Sequence, residues 1–205
     1  MLSLVNDLLD IKMIDNGVFE SNCDKFSTKD ALDFVWHMFS EQLKLRKIDL
    51  SFHFLESNSL IEAYSFQYEE ILLEKASLPD TLYGDVKRLK QVLINLIKNA
   101  SKFTFKGGTI RVFVAFDSVK QELQVHVVDS GRGITETEMK NLFSMFGKLK
   151  RTAAQNSDGI GLGLTICKKL VEANHGYLTV KSEGENCGSA FMFTMKMSNE
   201  QKESS

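Results

Sequence analysis

Apolar residues recur along this chain at two periods, one helical and one of strands. Over residues 1–16, Leu4, Val5, Leu8, Leu9, Ile11 and Ile14 follow helical spacing with Asp, Asn and Lys between them, and Asn16-Gly17 is a helix stop. The pattern is fully formed from its first residues, which reads as the end of a longer helix. Residues 18–26 suit a short strand. Ser27 with Asp30 is a helix-start signal for an amphipathic stretch to about Arg46, with Ala31, Leu32, Phe34, Val35, Phe39, Leu43 and Leu45 as its apolar positions. Ile48 to Phe54 alternates as a strand with one buried face. Residues 55–78 fit either an extra helix or a long loop. Asp85 then caps a strong helix from Val86 to Phe103, and Gly107-Gly108 turns the chain into a hairpin of strands over 109–116 and 122–129. The stretch 131–158 is polar and irregular. A last helix over 162–174, strands over 177–182 and 189–197, and a disordered tail SNEQKESS complete the chain, with no internal repeat. The sum predicts an α+β sandwich, three helices on one face of a mixed, mostly antiparallel sheet.

Composition narrows this further. The chain has 205 residues, 43% hydrophobic and 25% charged, enough for one large domain or two small ones. No run reaches the ~20 apolar residues of a membrane span, and no signal peptide opens the chain. A net charge of −2 offers nothing to a nucleic-acid backbone, so neither nucleic acid nor membrane contact is expected of this segment. Cys23, Cys167 and Cys187 are odd in number and lack metal-ligand spacing, which fits free thiols in a reducing, cytoplasmic setting. One proline against 13 glycines makes glycine the punctuation, and its placement informative.

Three constellations carry chemistry. Asn95 and Asn99 stand one helical turn apart with Lys102 on the same face, while Val92, Leu93, Leu96 and Ile97 fill the other. Amide oxygens are neutral hard donors suited to a hydrated Mg²⁺ on phosphates, and a lysine adds point charge. Second, a strand runs into Asp129-Ser130-Gly131-Arg132-Gly133-Ile134, a carboxylate followed by glycines that admit close backbone approach. Third, Gly159, Gly161 and Gly163 alternate before a helix with Leu162 and Leu164 between and after them, exposing N–H groups at its positive end. Taken singly, each has an ordinary reading: a solvated helix face, an Asp-Ser-Gly turn, a glycine-rich helix start. The G-x-G-x-G spacing is neither a dinucleotide fingerprint nor a phosphate-lysine loop.

In this order, with Leu142-Phe143-Ser144-Met145-Phe146-Gly147 between the last two, the chain resembles the ATP-binding domain of sensor histidine kinases from about Phe26 to Met197. That domain has the Bergerat fold, shared with Hsp90-type chaperones, type II topoisomerases and mismatch-repair ATPases. The resemblance implies ATP and Mg²⁺ as ligands. It implies Asn99 on Mg²⁺ and the triphosphate, Asn95 beside the same phosphates, Lys102 on phosphate and Phe103 near adenine. Asp129 would take the adenine amine in a pocket shaped by Gly131, Gly133 and Ile134. Gly159 to Leu164 would wrap the phosphates, and Phe143 and Phe146 would hinge a mobile lid over 134–158 bearing Lys148, Lys150 and Arg151. Met145 replaces the proline usual in that hinge, and 55–78 is longer than the family norm.

Where the chaperone and topoisomerase branches carry a glutamate base for water, this chain has Asn95, which cannot accept a proton at neutral pH. The kinase branch therefore fits best, with phosphoryl transfer to a histidine on a dimerisation domain and relay to a response-regulator receiver domain. Residues 1–17 resemble the end of the second dimerisation helix, leaving 18–198 as the catalytic domain and 199–205 as tail. No phosphoacceptor setting surrounds His37, His53, His126 or His175. The chain then reads as a catalytic half acting on a partner; the alternative is a nucleotide-binding regulatory module without transfer. Whether a parent protein is membrane-anchored stays open.

Overall fold

The computed structural model describes residues 2–55, 78–143 and 162–199. Helix α1 (Leu2–Asp15) ends where the Gly17 and Val18 N–H groups donate to Ile14 and Met13 carbonyls at 3.0 Å. Strand β1 (Asp24–Ser27) is shorter and later than the 18–26 pattern predicts. Ser27 caps α2 (Thr28–Leu45), its hydroxyl accepting the Asp30 N–H. After β2 (Asp49–Phe54) comes a strand that the sequence pattern does not reveal, β3 (Thr81–Gly84). It is four residues long and pairs antiparallel with β1. Asp85 caps α3 (Val86–Phe103), accepting the Arg88 N–H at 3.0 Å. The hairpin β4 (Thr109–Asp117) and β5 (Glu122–Asp129) follows as expected. A short helix α4 (Glu136–Met139), held by a Thr135/Glu138 capping box, stands in the stretch read as irregular. Helix α5 (Gly163–Ala173) and strands β6 (Leu178–Lys181) and β7 (Ser189–Lys196) close the fold.

The main sheet has five strands in the order β2-β4-β5-β7-β6, with β2–β4 parallel and the other pairs antiparallel. This is the predicted α+β sandwich. Ile110, Val112, Val114, Leu123, Val125 and Val127 join α2, α3 and α5 in the main core. The alternate positions Phe113, Ala115, Val128 and Ala190 form a second buried cluster with Leu55, so the central strands are apolar on both faces. Helix α3 is the best buried: Leu89, Val92, Leu93, Leu96 and Ile97 are almost wholly enclosed. Each such side chain contributes about 1.5–3 kcal/mol by burial, enough to hold the opposite, polar face of α3 at a fixed height over the sheet.

Two apolar-face expectations are corrected. On α2, Phe34 and Leu45 are exposed, and the Phe34 ring lies 4.6 Å from the Lys90 ammonium instead of in the core. On α1, Val5, Leu8 and Leu9 are exposed, while Ile11 is deeply buried with Asp10 buried beside it. The reason is a cation: Arg88 of α3 meets Asp10 there, which makes a carboxylate a better inward residue than leucine.

Candidate functional site

Helix α3 is the spine of the site. Asn95 and Asn99 are half-buried on its polar face, one turn apart, and Lys102 follows, exposed, near its end. The middle of α3 meets the start of α5: a Cβ placed on Gly163 would stand 4.0 Å from Asn95 Oδ1. One turn into α5, the buried Cys167 thiol hydrogen-bonds Asn95 and points at the Val92 carbonyl, 3.9 Å away. Burial pushes that thiol up to about 12, so it stays protonated and unreactive. Leu162 is buried and Leu164 is half-buried against the core. They anchor the first turn of α5, whose N–H groups lack intrahelical partners.

The end of α3 meets the β5 loop. The Phe103 carbonyl accepts the Arg132 N–H at 3.1 Å, and the Phe103 ring lies between two cations, 4.8 Å from the Arg132 guanidinium and 5.5 Å from the Lys102 ammonium. Asp129 ends β5 and is buried. Its Oδ1 accepts the Gly131 N–H at 2.8 Å and its Oδ2 the Ser189 hydroxyl at 2.5 Å. Burial raises its pKa above the ordinary 3.8, opposed by the Ser189 and Gly131 hydrogen bonds and by Arg132. The Ser189 backbone N–H donates to the Asp129 carboxylate as well, so of its roughly four lone-pair directions one remains for a ligand donor.

The glycines here are required. A Cβ on Gly131 would lie 2.5 Å from the Phe103 carbonyl oxygen. Gly133 has φ +69°, and its Cβ would lie 1.8 Å from the Gly184 carbonyl oxygen. The β6–β7 turn thus presses directly on the loop, and it also bonds it. Asn186 and Gly188 N–H groups donate to the Arg132 and Gly131 carbonyls at 2.7 and 3.1 Å, and Ile134 N–H donates to Ser182 Oγ at 2.9 Å. Ile134 itself is buried.

Of the residues predicted from sequence, the structure brings Asn95 to Gly163, and Phe103 to Asp129, Gly131 and Gly133, along one helix. Gly159 and Gly161 lie outside the described residues, as do Met145, Phe146, Lys148, Lys150, Arg151 and the 56–77 stretch. Thr165 Oγ1 donates to the Phe143 carbonyl at 3.3 Å, so α5 also holds the last described residue before that gap. Among the described residues, no group of three or more His, Cys, Asp or Glu could hold a metal ion. The three cysteines are free thiols. His37 is exposed on α2, His53 stacks on Phe113 at 5.1 Å, His126 is buried in β5, and His175 follows α5 with positive φ. Sequence reasoning assigned no role to Ser189, Ser182 or Cys167; each reaches the site through strand register or helix packing, which no local motif reports. Arg132 lies inside a motif, yet only its stacking on Phe103 gives it a part.

The family of histidine kinase-, DNA gyrase B- and HSP90-like ATPases matches residues 84–199, and the chain belongs to it. Within that family it is an ATP-binding catalytic domain of the sensor histidine kinase type. It is 36% identical over 137 residues to the adaptive-response sensory kinase SasA of Synechococcus elongatus, covering 66% of this chain and 34% of that protein. It is 31% identical over 202 residues to the two-component system protein A of Emericella nidulans, covering 96% of this chain and 26% of that protein. The chain therefore spans about a third or less of these relatives. In fold it is similar to histidine kinase ThkA solved in complex with the response regulator protein TrrA, at TM-score 0.62 and 24% identity, covering 98% of this chain and 50% of that one.

Proposed function

We propose that this domain binds ATP with its adenine at Asp129 and its phosphates along Asn95, Asn99 and Lys102, and supplies the γ-phosphoryl group to a histidine on a separate dimerisation domain. The observation that carries the reading is that one helix, α3, touches both ends: Phe103 abuts the Asp129 loop while Asn95 abuts the start of α5. The buried Asp129 carboxylate would accept from the adenine amine, and burial strengthens that bond. Asn95 is an amide that abstracts no proton from water, so this face positions phosphates without activating a hydrolytic nucleophile. The acceptor histidine, a relay to a receiver domain and a cytoplasmic location belong to this reading; no helix among the described residues is long and apolar enough to cross a membrane.

The donor set fits Mg²⁺. Asn99 and Asn95 offer neutral oxygens with no carboxylate cage among the described residues, and a metal here would take its remaining ligands from phosphates and water. Asn99 would hold it, and its charge would be spread against that developing on the transferred phosphoryl group. Leu2–Asp15 and the turn to Gly17 are read as the end of the dimerisation helix. The test mixes this chain with a histidine-bearing dimerisation domain of its own protein and γ-labelled ATP. Acid-labile, base-stable label on the partner is expected; tight nucleotide binding with no label would leave a regulatory module in its place.

A further inference from the structure

Helix α1 is tied to the domain by charges that the nucleotide reading does not use. Arg88 Nη1 and Nη2 donate to the two Asp10 oxygens at 2.6 and 2.8 Å in a largely buried fork. Gln91 Nε2 donates to Asp7 and Asp10 at 3.0 and 3.1 Å, and Gln91 Oε1 accepts from Arg88 at 2.8 Å. At the other end of α1, Asp15 pairs with Lys169. Arg88 and Gln91 belong to α3, and Lys169 belongs to α5. One acidic helix therefore spans the two helices that meet at Asn95 and Gly163.

The spacing makes this more than anchorage. Arg88, Gln91, Asn95 and Asn99 are separated by three, four and four residues, so they share one face of α3. The pair that α1 bridges is in contact under it through Cys167 and Val92, and at the site through Gly163 and Asn95. Ile11 fills the core between these charges. A shift of α3 against α5 is opposed at Asp10 and at Asp15, outside the nucleotide site.

We infer that Asp10 and Asp15 are positioning residues: α1 staples α3 to α5 and thereby sets the Asn95–Gly163 alignment beside which the phosphates bind. This rests on the nucleotide reading above. Linkage requires the effect to be reciprocal, so a nucleotide that needs the aligned pair must hold α1 down.

The test uses the full chain, a fluorescent ATP analogue with Mg²⁺, adenosine as a probe of the base end alone, and amide hydrogen exchange. Asp10→Asn is expected to speed exchange in α1 and weaken the triphosphate about tenfold, with adenosine affinity and β4–β5 protection unchanged. Arg88→Asp combined with Asp10→Arg is expected to restore affinity. Saturating triphosphate should slow α1 exchange in the wild type by a similar factor. Freed α1 with unchanged triphosphate affinity overturns the staple, as does equal weakening of adenosine, which marks general destabilisation. If Asp10→Asn loses β4–β5 protection, Asp15→Asn gives the same decision at the exposed end. A wild type that binds neither probe overturns both the staple and the nucleotide reading.

Discussion

The two ends of the proposed nucleotide site are built differently. At the Asp129 end the groups are buried and locked by backbone: a carboxylate with three internal donors, a loop bonded to the β6–β7 turn at three places, and glycines with no room for a methyl group. At the Asn95 end the groups are half-buried side chains on a helix face beside the first turn of another helix. On the proposed reading the first end would take a flat, neutral base without rearranging. On the same reading the second would offer neutral oxygens, a lysine and the first turn of α5 to a charged, hydrated triphosphate that brings its own water and cation. Rigidity sits where shape is read, and adaptability where charge is read.

Several substitutions probe that contrast. Gly133→Ala attacks the rigid end: positive φ and the Gly184 carbonyl both oppose a methyl, so stability should fall by at least about 3 kcal/mol in chemical denaturation. The same methyl at Gly163 meets nothing closer than 4.0 Å, and Gly163→Ala should leave stability within about 1 kcal/mol.

Acid tests the same strand by another route. Burial, with Lys181 nearby, holds His126 down to about 4 against an ordinary 6.5. Between those values the unfolded chain takes up a proton that the folded chain refuses. Stability is therefore complete above pH 6.5 and lost as pH falls toward 4, by roughly 3 kcal/mol. His126→Leu should flatten urea-denaturation midpoints across that window.

Asp129→Asn separates recognition from folding. Because burial raises the carboxyl pKa, ionisation costs folded-state free energy at neutral pH, and that cost grows as pH rises through the raised value. The amide removes that cost while presenting a donor where an acceptor is needed. Adenine nucleotide affinity should drop about a hundredfold, by titration calorimetry, with little change in thermal stability because the relieved ionisation cost offsets the acceptor oxygen that is lost.

Asn99→Ala addresses the adaptable end. Chelating Mg²⁺ should weaken triphosphate binding to the wild type about tenfold or more and leave the variant's weaker binding unmoved. Ser189→Ala gives a modest change, about 1–2 kcal/mol in stability from the lost hydroxyl donor to a buried carboxylate.

What could be read from sequence follows the same division. Helix α3, its Asp85 cap and its asparagine face are legible because a 3.6-residue period and a capping residue are local facts. The β4–β5 hairpin is legible for the same reason, with glycines at its edge. Strand β3 is not, because four residues carry no period; it exists through pairing with β1. Asp129 is legible as a carboxylate between a strand and a glycine turn, but Ser189 is not, since it stands opposite only once β5 and β7 are in register. The inward side of α1 is not legible, because the apolar pattern ignores a partner: Asp10 is buried by an arginine 78 residues away in sequence.

The most direct measurement is base selectivity. On the proposed reading Asp129 accepts from the 6-amino group of adenine, which inosine replaces with a carbonyl. Competition titrations should show the wild type binding ATP at least about tenfold more tightly than inosine triphosphate, and Asp129→Asn losing that preference. Equal wild-type affinities, or a preference that survives in Asp129→Asn, would contradict the placement of the base on which the account rests.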